Sequence, residues 1–391
     1  MKLAFKIHFI TLAFLLIDFS ICEAQFINPF FQNFEIANHK IYVLHADGIL
    51  KVFDENGKPL EEYARKPRIK ILTKDRLNNI VIVDSTNCVK RLDLNNRWTK
   101  IFSYSNRMLY GLAFNKTNNL FLITGKGILD VKSKNIYMPE KKFYHSEWAH
   151  GTDRGWGSER THITPYIDND DNMWFAFDHG EWGRDLFIWN TEKGNFISFT
   201  KPIIIPIYES KDHIFSKTSS DLLGINQSLL QFNKVYDEKG NVIDYNISEI
   251  YDSENDESLQ AAKRSHDKPL NFDHKKGVDL KSYNFYIGPF AFNPIDNKLN
   301  ILTSEGLFVA DRLSKNLKFE NLRRIKDFDF PKEVTKAYEY YDDKKEEIEF
   351  TINGYPQNVT KLQFNSKGGI VMLLPHYGLW LFDGKILRIL E

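Results

Sequence analysis

The chain has 391 residues, 52 basic and 52 acidic side chains, 14% aromatic residues and two cysteines. Such a balance argues against the basic stripe that a nucleic-acid binder needs. Cys22 falls in an N-terminal leader described next, which leaves Cys88 alone, so no disulfide framework is available and stability must come from burial.

The first residues, MKLAFKIHFITLAFLLIDFSICEAQ, place Lys2 and Lys6 before an apolar run from Phe9 to Leu16, followed by small residues. This is the pattern of a secretory signal peptide over 1–24, cut after Ala24, and the run is too short for a spanning helix. A lipoprotein cut before Cys22 is the rival reading, and Ile21 and Phe19 suit that motif poorly. No later apolar run reaches the roughly 18 residues of a membrane span. The expected protein is secreted or periplasmic, with a single domain over 25–391.

Next comes a repeat. A β-branched or aromatic strand, a turn rich in Asn, Asp and Gly, and a second apolar strand recur as HKIYVLHADGILKVFD from His39, NNIVIVDSTNCVKRLD from Asn78 and NNLFLITGKGILDVKS from Asn118. The unit returns as DNMWFAFDHGEWGRDLFIWN from Asp171, NKLNILTSEGLFVADR from Asn297 and GGIVMLLPHYGLWLFDG from Gly368, with a weaker copy from Asp212. The leading apolar residues are Ile41, Ile80, Leu120, Met173, Ile214, Leu299 and Ile370. Short strands with turn signals at intervals near 40 residues predict an all-β fold, a β-propeller of seven four-stranded blades, with six or eight as the margin. The 85-residue interval from Ile214 to Leu299 leaves room for an eighth, degraded copy.

The last copy, with its Gly turn, aromatic strand, Gly-Leu and Asp-Gly, resembles the secreted sensor propellers attached to two-component regulators. The likeness is one of architecture over most of the mature chain. With no kinase, DNA-binding segment or membrane span in the sequence, the family's signalling role is not carried over. The double glycines of Kelch repeats, the Trp-Asp strand end of WD repeats and the Asp-box of sialidases are missing.

Two stretches break the pattern. Residues 243–284 are polar and highly charged, as expected of a long loop, and 326–358 suit a short helix or an extra hairpin. In a propeller both connect the outer strand of one blade to the inner strand of the next. Such connections open on the same face as the loops between second and third strands, and loops on a rigid scaffold tend to carry function.

One region stands out on that face. Five of the seven tryptophans and four of the eleven histidines lie within Phe143–Trp189. Reading THITPYID as an inner strand and MWFAFD as its neighbour puts 144–162 and the loop HGEWGR, 179–184, at one end of one blade. There Trp148, Trp156 and Trp182 sit among glycines, where an indole offers a flat platform for a sugar ring or a π-face; otherwise they seal the blade. Trp174 and Trp189 lie on strands and belong to the core. Arg154, Arg160 and Arg184 can clamp an anion in bidentate fashion. Asp153, Glu159 and Glu181 can work with His150 or His179 as acid and base, or simply pair with the arginines. His45, His179 and His376 occupy equivalent loop positions in three copies and would face the mouth, as would Asp47 and Glu305. No close-spaced His pair exists, so no metal or cofactor is assigned. The run DNDDN at 168–172 resembles half of a calcium loop, but Met173 stands where the glycine should be, and a solvated hairpin turn is expected.

The expected function is binding of a polar small molecule or glycan at this mouth, through Trp148, His150, Asp153, Arg154, Trp156, Glu159, Arg160, Trp182, Arg184, His45 and His376. The alternative is an enzyme, a lyase or hydrolase on acidic sugars, with His179 and Glu181 as the catalytic pair. A third reading is a protein-docking scaffold. A monomer is expected, without nucleic acid or membrane partners.

Overall fold

A computed structural model describes residues 31–63, 67–93, 97–105, 108–140, 163–178, 184–199, 204–209, 213–219, 227–252, 278–279, 287–303, 306–313, 318–326, 328, 336–341, 344–349, 359–374 and 378–390. Among them there is no helix, and the strands form an all-β propeller built of four-stranded antiparallel sheets.

Sheet 1 contains β1 (Phe31–Ala37), β2 (Lys40–His45), β3 (Leu50–Asp54) and β4 (Pro59–Tyr63). Sheet 2 follows with β5 (Ile69–Lys74), β6 (Ile80–Asp84), β7 (Cys88–Leu92) and β8 (Trp98–Ser103). Sheet 3 has β9 (Leu109–Phe114), β10 (Leu120–Thr124), β11 (Gly127–Asp130) and β12 (Ile136–Tyr137). In sheet 4 these are β13 (Tyr166–Ile167), β14 (Asn172–Asp178), β15 (Arg184–Asn190) and β16 (Phe196–Phe199). Sheet 5 is β17 (Ile204–Glu209), β18 (His213–Ser219), β19 (Gln227–Tyr236) and β20 (Val242–Asp252). A short strand, β21 (Val278–Asp279), precedes sheet 6, whose members are β22 (Ile287–Phe292), β23 (Leu299–Thr303), β24 (Gly306–Ala310) and β27 (Arg323–Arg324). Between the last two, β25 (Arg312–Leu313) and β26 (Lys318–Glu320) form a small sheet with β21. The stretch 326–358 supplies a hairpin, β28 (Lys336–Tyr341) and β29 (Lys344–Glu349), rather than a helix. Sheet 7 is β30 (Lys361–Phe364), β31 (Ile370–Leu374), β32 (Gly378–Phe382) and β33 (Leu387–Ile389). Ile214 and Leu299 thus lead the second strands of sheets 5 and 6, with no further four-stranded sheet among the described residues between them.

All seven leading apolar residues of the repeat fall on the second strand of a sheet, and each is at most 6% exposed. Second strands are covered on both faces by neighbouring sheets, so they read as continuous apolar runs such as IVIVD and LFLIT, buried throughout. Turn chemistry repeats as well. The side-chain oxygens of Asp75, Asn115, Asp168 and Asn365 each accept the N–H four residues on, at 2.7–2.9 Å. The residue just before that N–H is Asn78, Asn118, Asp171 or Gly368, with φ between 63° and 80°. Asn, Asp and Gly are the residues that tolerate this left-handed conformation, which explains the composition of the turn between first and second strands.

Sheets 1 to 5 pack in succession, and sheet 6 on sheet 7, through apolar layers, for instance Tyr42, Leu44 and Val52 against Leu72, Ile80 and Ile82. The ring closes where Phe34, Ile41 and Val43 of sheet 1 meet Val371, Leu373 and Leu381 of sheet 7. No strand is exchanged at this seam, because sheets 1 and 7 are each built from consecutive strands.

Candidate functional site

Strand order defines two ends of the ring. The mouth end carries the connections between second and third strands and the arrivals at first strands; the far end carries the other two turns of each sheet. In sheet 4 the ladder pairs Tyr166 with Trp174 and Asp178 with Arg184, so the arrival at β13 and the junction of β14 with β15 share the mouth end.

Beneath that junction lies an aromatic seat. Tyr110 of β9 meets Phe177 of β14 edge to face, with centroids 5.7 Å apart. Ile163 packs on the same cluster and donates its N–H to the Tyr110 carbonyl at 2.8 Å. A Cβ on Gly111 would come within 2.5 Å of the Ile163 carbonyl oxygen, so the glycine is what lets the arriving chain lie on β9. Ile163, just after the first mouth loop, and Phe177, just before the second, are therefore anchored side by side.

The loops themselves, 141–162 and 179–183, lie outside the described residues, and with them Trp148, His150, Asp153, Arg154, Trp156, Glu159, Arg160, His179, Glu181 and Trp182. His376 and Glu305 also lie outside. Arg184 opens β15 through its backbone pairing with Asp178. His45 is described: its ring lies 4.8 Å from that of Phe31, at a tilt of 56°. Its turn is tight and braced from the next sheet. Gly48 N–H donates to the His45 carbonyl at 3.0 Å, and Asp47 Oδ1 accepts the Ile49 N–H at 3.1 Å. Arg68, which leads into β5, donates to the carbonyls of Asp47 (2.6 Å) and Ala46 (3.3 Å).

The channel wall over sheets 7, 1 and 2 carries a polar network that the repeat pattern does not announce. A first strand has no neighbour on its inner edge, so every second residue presents unpaired backbone groups to the channel. Side chains from adjacent first strands satisfy them. Lys361 donates to the Phe34 carbonyl at 2.6 Å, Gln363 Oε1 accepts the Ile36 N–H at 3.3 Å, and Lys74 donates to the Ile36 carbonyl at 3.1 Å. Asn33 does the same for the Leu72 carbonyl at 2.9 Å. Buried Glu35 sits at the centre, 2.6 Å from Lys361 Nζ and 3.2 Å from Gln363 Nε2. Burial pushes the Lys361 ammonium below its usual pKa, Glu35 opposes that, and Lys74 adds to it. Lys70 is likewise lowered by burial, against the pull of Asp84, and donates to Asn87 Oδ1 at 2.9 Å.

At the far end of sheet 4 the structure corrects one expectation. The DNDDN segment is a hairpin turn, but only its tip is solvated: Asn169 is exposed and Asp170 half-buried, whereas Asp168, Asp171 and Asn172 are at most 2% exposed. Asp168 is held by five donors. Its Oδ1 accepts the Asp170 and Asn172 N–H groups, and its Oδ2 accepts Trp174 Nε1, the Tyr245 hydroxyl and Asn172 Nδ2. Tyr166 donates to Glu209 at 2.7 Å, and burial together with that carboxylate raises the phenol's pKa. Asp168, Asp170 and Glu209 bring three carboxylates close enough to hold a cation. That place is taken by the buried Lys234 ammonium, 2.5 Å from Asp170 and 2.8 Å from Glu209. Burial works against the Lys234 charge, but the hydrogen bonds to both carboxylates outweigh it and raise the pKa. The cluster is a tie between sheets 4 and 5. Its signal in the sequence was the recurrent Asx residue heading each turn, while its partners Glu209, Lys234 and Tyr245 lie 41 to 77 residues downstream of Asp168 and leave no local trace.

No protein-family model matches the chain, and no curated protein matches it. Among solved structures, it is similar to the extracellular domain of BT4673 from B. thetaiotaomicron, described as a one-component system. The identity is 12% and the TM-score 0.47, over 90% of this chain and 38% of that one. A second structure of an extracellular BT4673 domain, described as a hybrid two-component system, gives 14% identity and a TM-score of 0.43 over 93% and 41% of the two chains. The C-terminal WD40 domain of Sif2 gives 10% and 0.42 over 88% and 78%. The chain thus spans about two fifths of the length of the BT4673 structures. The assignment of a propeller rests on the order and packing of its own sheets. Among the described residues no helix is long and apolar enough to cross a membrane.

Proposed function

We propose that this propeller binds a polar small molecule or glycan at the mouth of sheets 3 and 4. The observation that carries the reading is the shared anchorage just described: Ile163, Tyr110 and Phe177 seat the ends of both tryptophan- and arginine-bearing loops at one end of the ring. A rigid scaffold presenting adaptable loops is the usual arrangement for recognition. In this reading Trp148, Trp156 and Trp182 supply stacking surfaces, Arg154, Arg160 and Arg184 engage an anionic group, and His150, Asp153 and Glu159 complete the polar lining. His45 and His376 flank the mouth from sheets 1 and 7. The protein is exported, its leader removed after Ala24, and residues 25–391 act as one domain with insertions near 243–284, beyond the end of β20 at Asp252, and 326–358.

Isothermal titration calorimetry against neutral and acidic oligosaccharides tests this. Replacing a directly engaged arginine, Arg154→Ala or Arg160→Ala, should weaken binding by roughly 1.5–3 kcal/mol, the range for a charge-assisted hydrogen bond, with the thermal midpoint unchanged. If these variants bind like the parent but unfold at lower temperature, the arginines are structural and the proposal fails.

A further inference from the structure

A second candidate site lies at the opposite end of the ring. Sheets 6 and 7 part at the far end to leave a cleft of about 710 Å³, within the size range of small-molecule sites. Its cause is visible in the chain path. The outermost strand of sheet 6 is only two residues long, and the chain then turns inward: Ile325 N–H donates to the Leu307 carbonyl at 2.8 Å. Phe328 follows, fully buried edge to face against Phe382 at 5.2 Å. The floor is apolar, with Val309, Ile370 and Phe382. At the opening, Gly384 leaves open space where a side chain would stand.

The rim has the opposite character. Arg323, Arg324 and Lys326 come to the cleft within four positions, against a single lining carboxylate, Asp296. The side chains of Arg323 and Lys326 are exposed and make no hydrogen bond or close salt bridge among the described residues, Arg323 interacting with the charge of Asp311 only at longer range. The lysines of the channel wall differ in this respect: Lys361 donates to three acceptors and is saturated. An apolar floor beneath exposed guanidinium and ammonium groups is complementary to a molecule with an apolar body and an anionic head.

We infer that this cleft binds small organic anions with an apolar ring or branched body, their carboxylate or sulfonate held by Arg323 and Lys326. It is separate from the mouth, since Asn293, Asp296 and Gly368 belong to turns between first and second strands.

The probe is 8-anilinonaphthalene-1-sulfonate, titrated by fluorescence into the full mature chain, with uncharged N-phenyl-1-naphthylamine as its neutral counterpart. Saturable binding of the sulfonate is expected, weakening as salt is raised. The double variant Arg323→Glu/Lys326→Glu should weaken the sulfonate about tenfold or more while leaving the neutral probe unchanged. Should that variant lose its parental circular dichroism, Arg323→Gln/Lys326→Gln makes the same comparison without reversing charge. The mouth variant Arg154→Ala should leave both probes unaffected, which keeps the two sites distinguishable. No saturable binding by the parent, or equal sulfonate affinity in parent and folded double variant, overturns the inference.

Discussion

The seam between sheets 3 and 4 and the seam between sheets 7 and 1 solve the same packing problem with different chemistry. At the first, Tyr110, Phe121, Phe175, Phe177, Phe187 and Trp189 dominate a layer completed by Ala113, Ile123, Ile128 and Met173. Trp189 is fully buried, 5.0 Å from the Phe121 ring and 5.2 Å from Tyr137, and its Nε1–H finds no hydrogen-bond partner among the described residues. At the second, the apolar layer is largely aliphatic and flanked by polar ties: Lys361 with Glu35 at the channel, Glu55 with Ser366 at the far end. Consecutive sheets are already joined by the chain. The 7–1 seam joins residues more than 300 positions apart, and directional hydrogen bonds fix its register where apolar packing alone would tolerate sliding. Aromatic bulk at the 3–4 seam instead packs Ile163 and Phe177, which flank the mouth loops, against Tyr110.

The sharpest way to break this contrast is Trp189→Ala, which should lower stability by about 3–5 kcal/mol, the usual range for removing a large buried aromatic. Denaturant unfolding measures it. Trp189→Phe should lose much less, because it keeps most of the packing and removes an unpaired buried N–H. Comparable losses for the two substitutions would mean that the indole does more at this seam than fill it.

How far these seams could be read from the sequence follows from their chemistry. The aromatic one was legible: Trp189 lies on a strand, and Met173 leads an apolar run that only a doubly covered strand needs. The propeller itself was legible for the same reason, since burial on both faces and a left-handed turn residue repeat with every sheet. The polar ties were not. Glu35, Lys361 and Glu55 are single charged residues in otherwise ordinary strands and turns, and their pairing exists only once the ring closes. The buried base of the DNDDN turn was not legible, because local spacing reports the turn but not Tyr245 and Lys234, which reach it from sheet 5. The mouth loops stand out by composition, and only the strand order on either side of them is described, in the pairing of β13, β14 and β15.

The polar seam is probed next, with an intermediate effect. Lys361→Met removes three hydrogen bonds and leaves buried Glu35 with less compensation, which should lower stability by roughly 3 kcal/mol, the low end for breaking a buried pair. Adding Glu35→Leu should restore most of that loss, because an apolar pair of similar volume is often neutral in such a position. A double variant as unstable as the single one, in the same denaturation measurement, would show that Lys361 acts through the Phe34 carbonyl and Asn33 rather than through Glu35.

The smallest effect expected is a pH dependence at the far end of the same seam. Glu55 is buried and accepts the Ser366 hydroxyl at 2.7 Å, the Ser366 N–H at 2.8 Å and His39 Nδ1 at 3.3 Å. Burial alone would raise its pKa; the hydrogen bonds from Ser366, with His39, outweigh it and hold the carboxyl below its ordinary value of 4.5. A carboxylate whose folded pKa is depressed contributes stability that is fully present above its unfolded pKa. That contribution is lost as pH falls through the folded one. The thermal midpoint should therefore drop as pH is lowered below about 4.5, and Glu55→Gln, which cannot titrate, should show a shallower drop over the same window. Other carboxylates shared by both proteins, such as Asp84 and Asp54, are also held low and contribute equally to both curves, so the difference between them isolates Glu55. Parallel curves would mean that the closing seam draws nothing from the charge of Glu55, and that its role there is met by neutral hydrogen bonding alone.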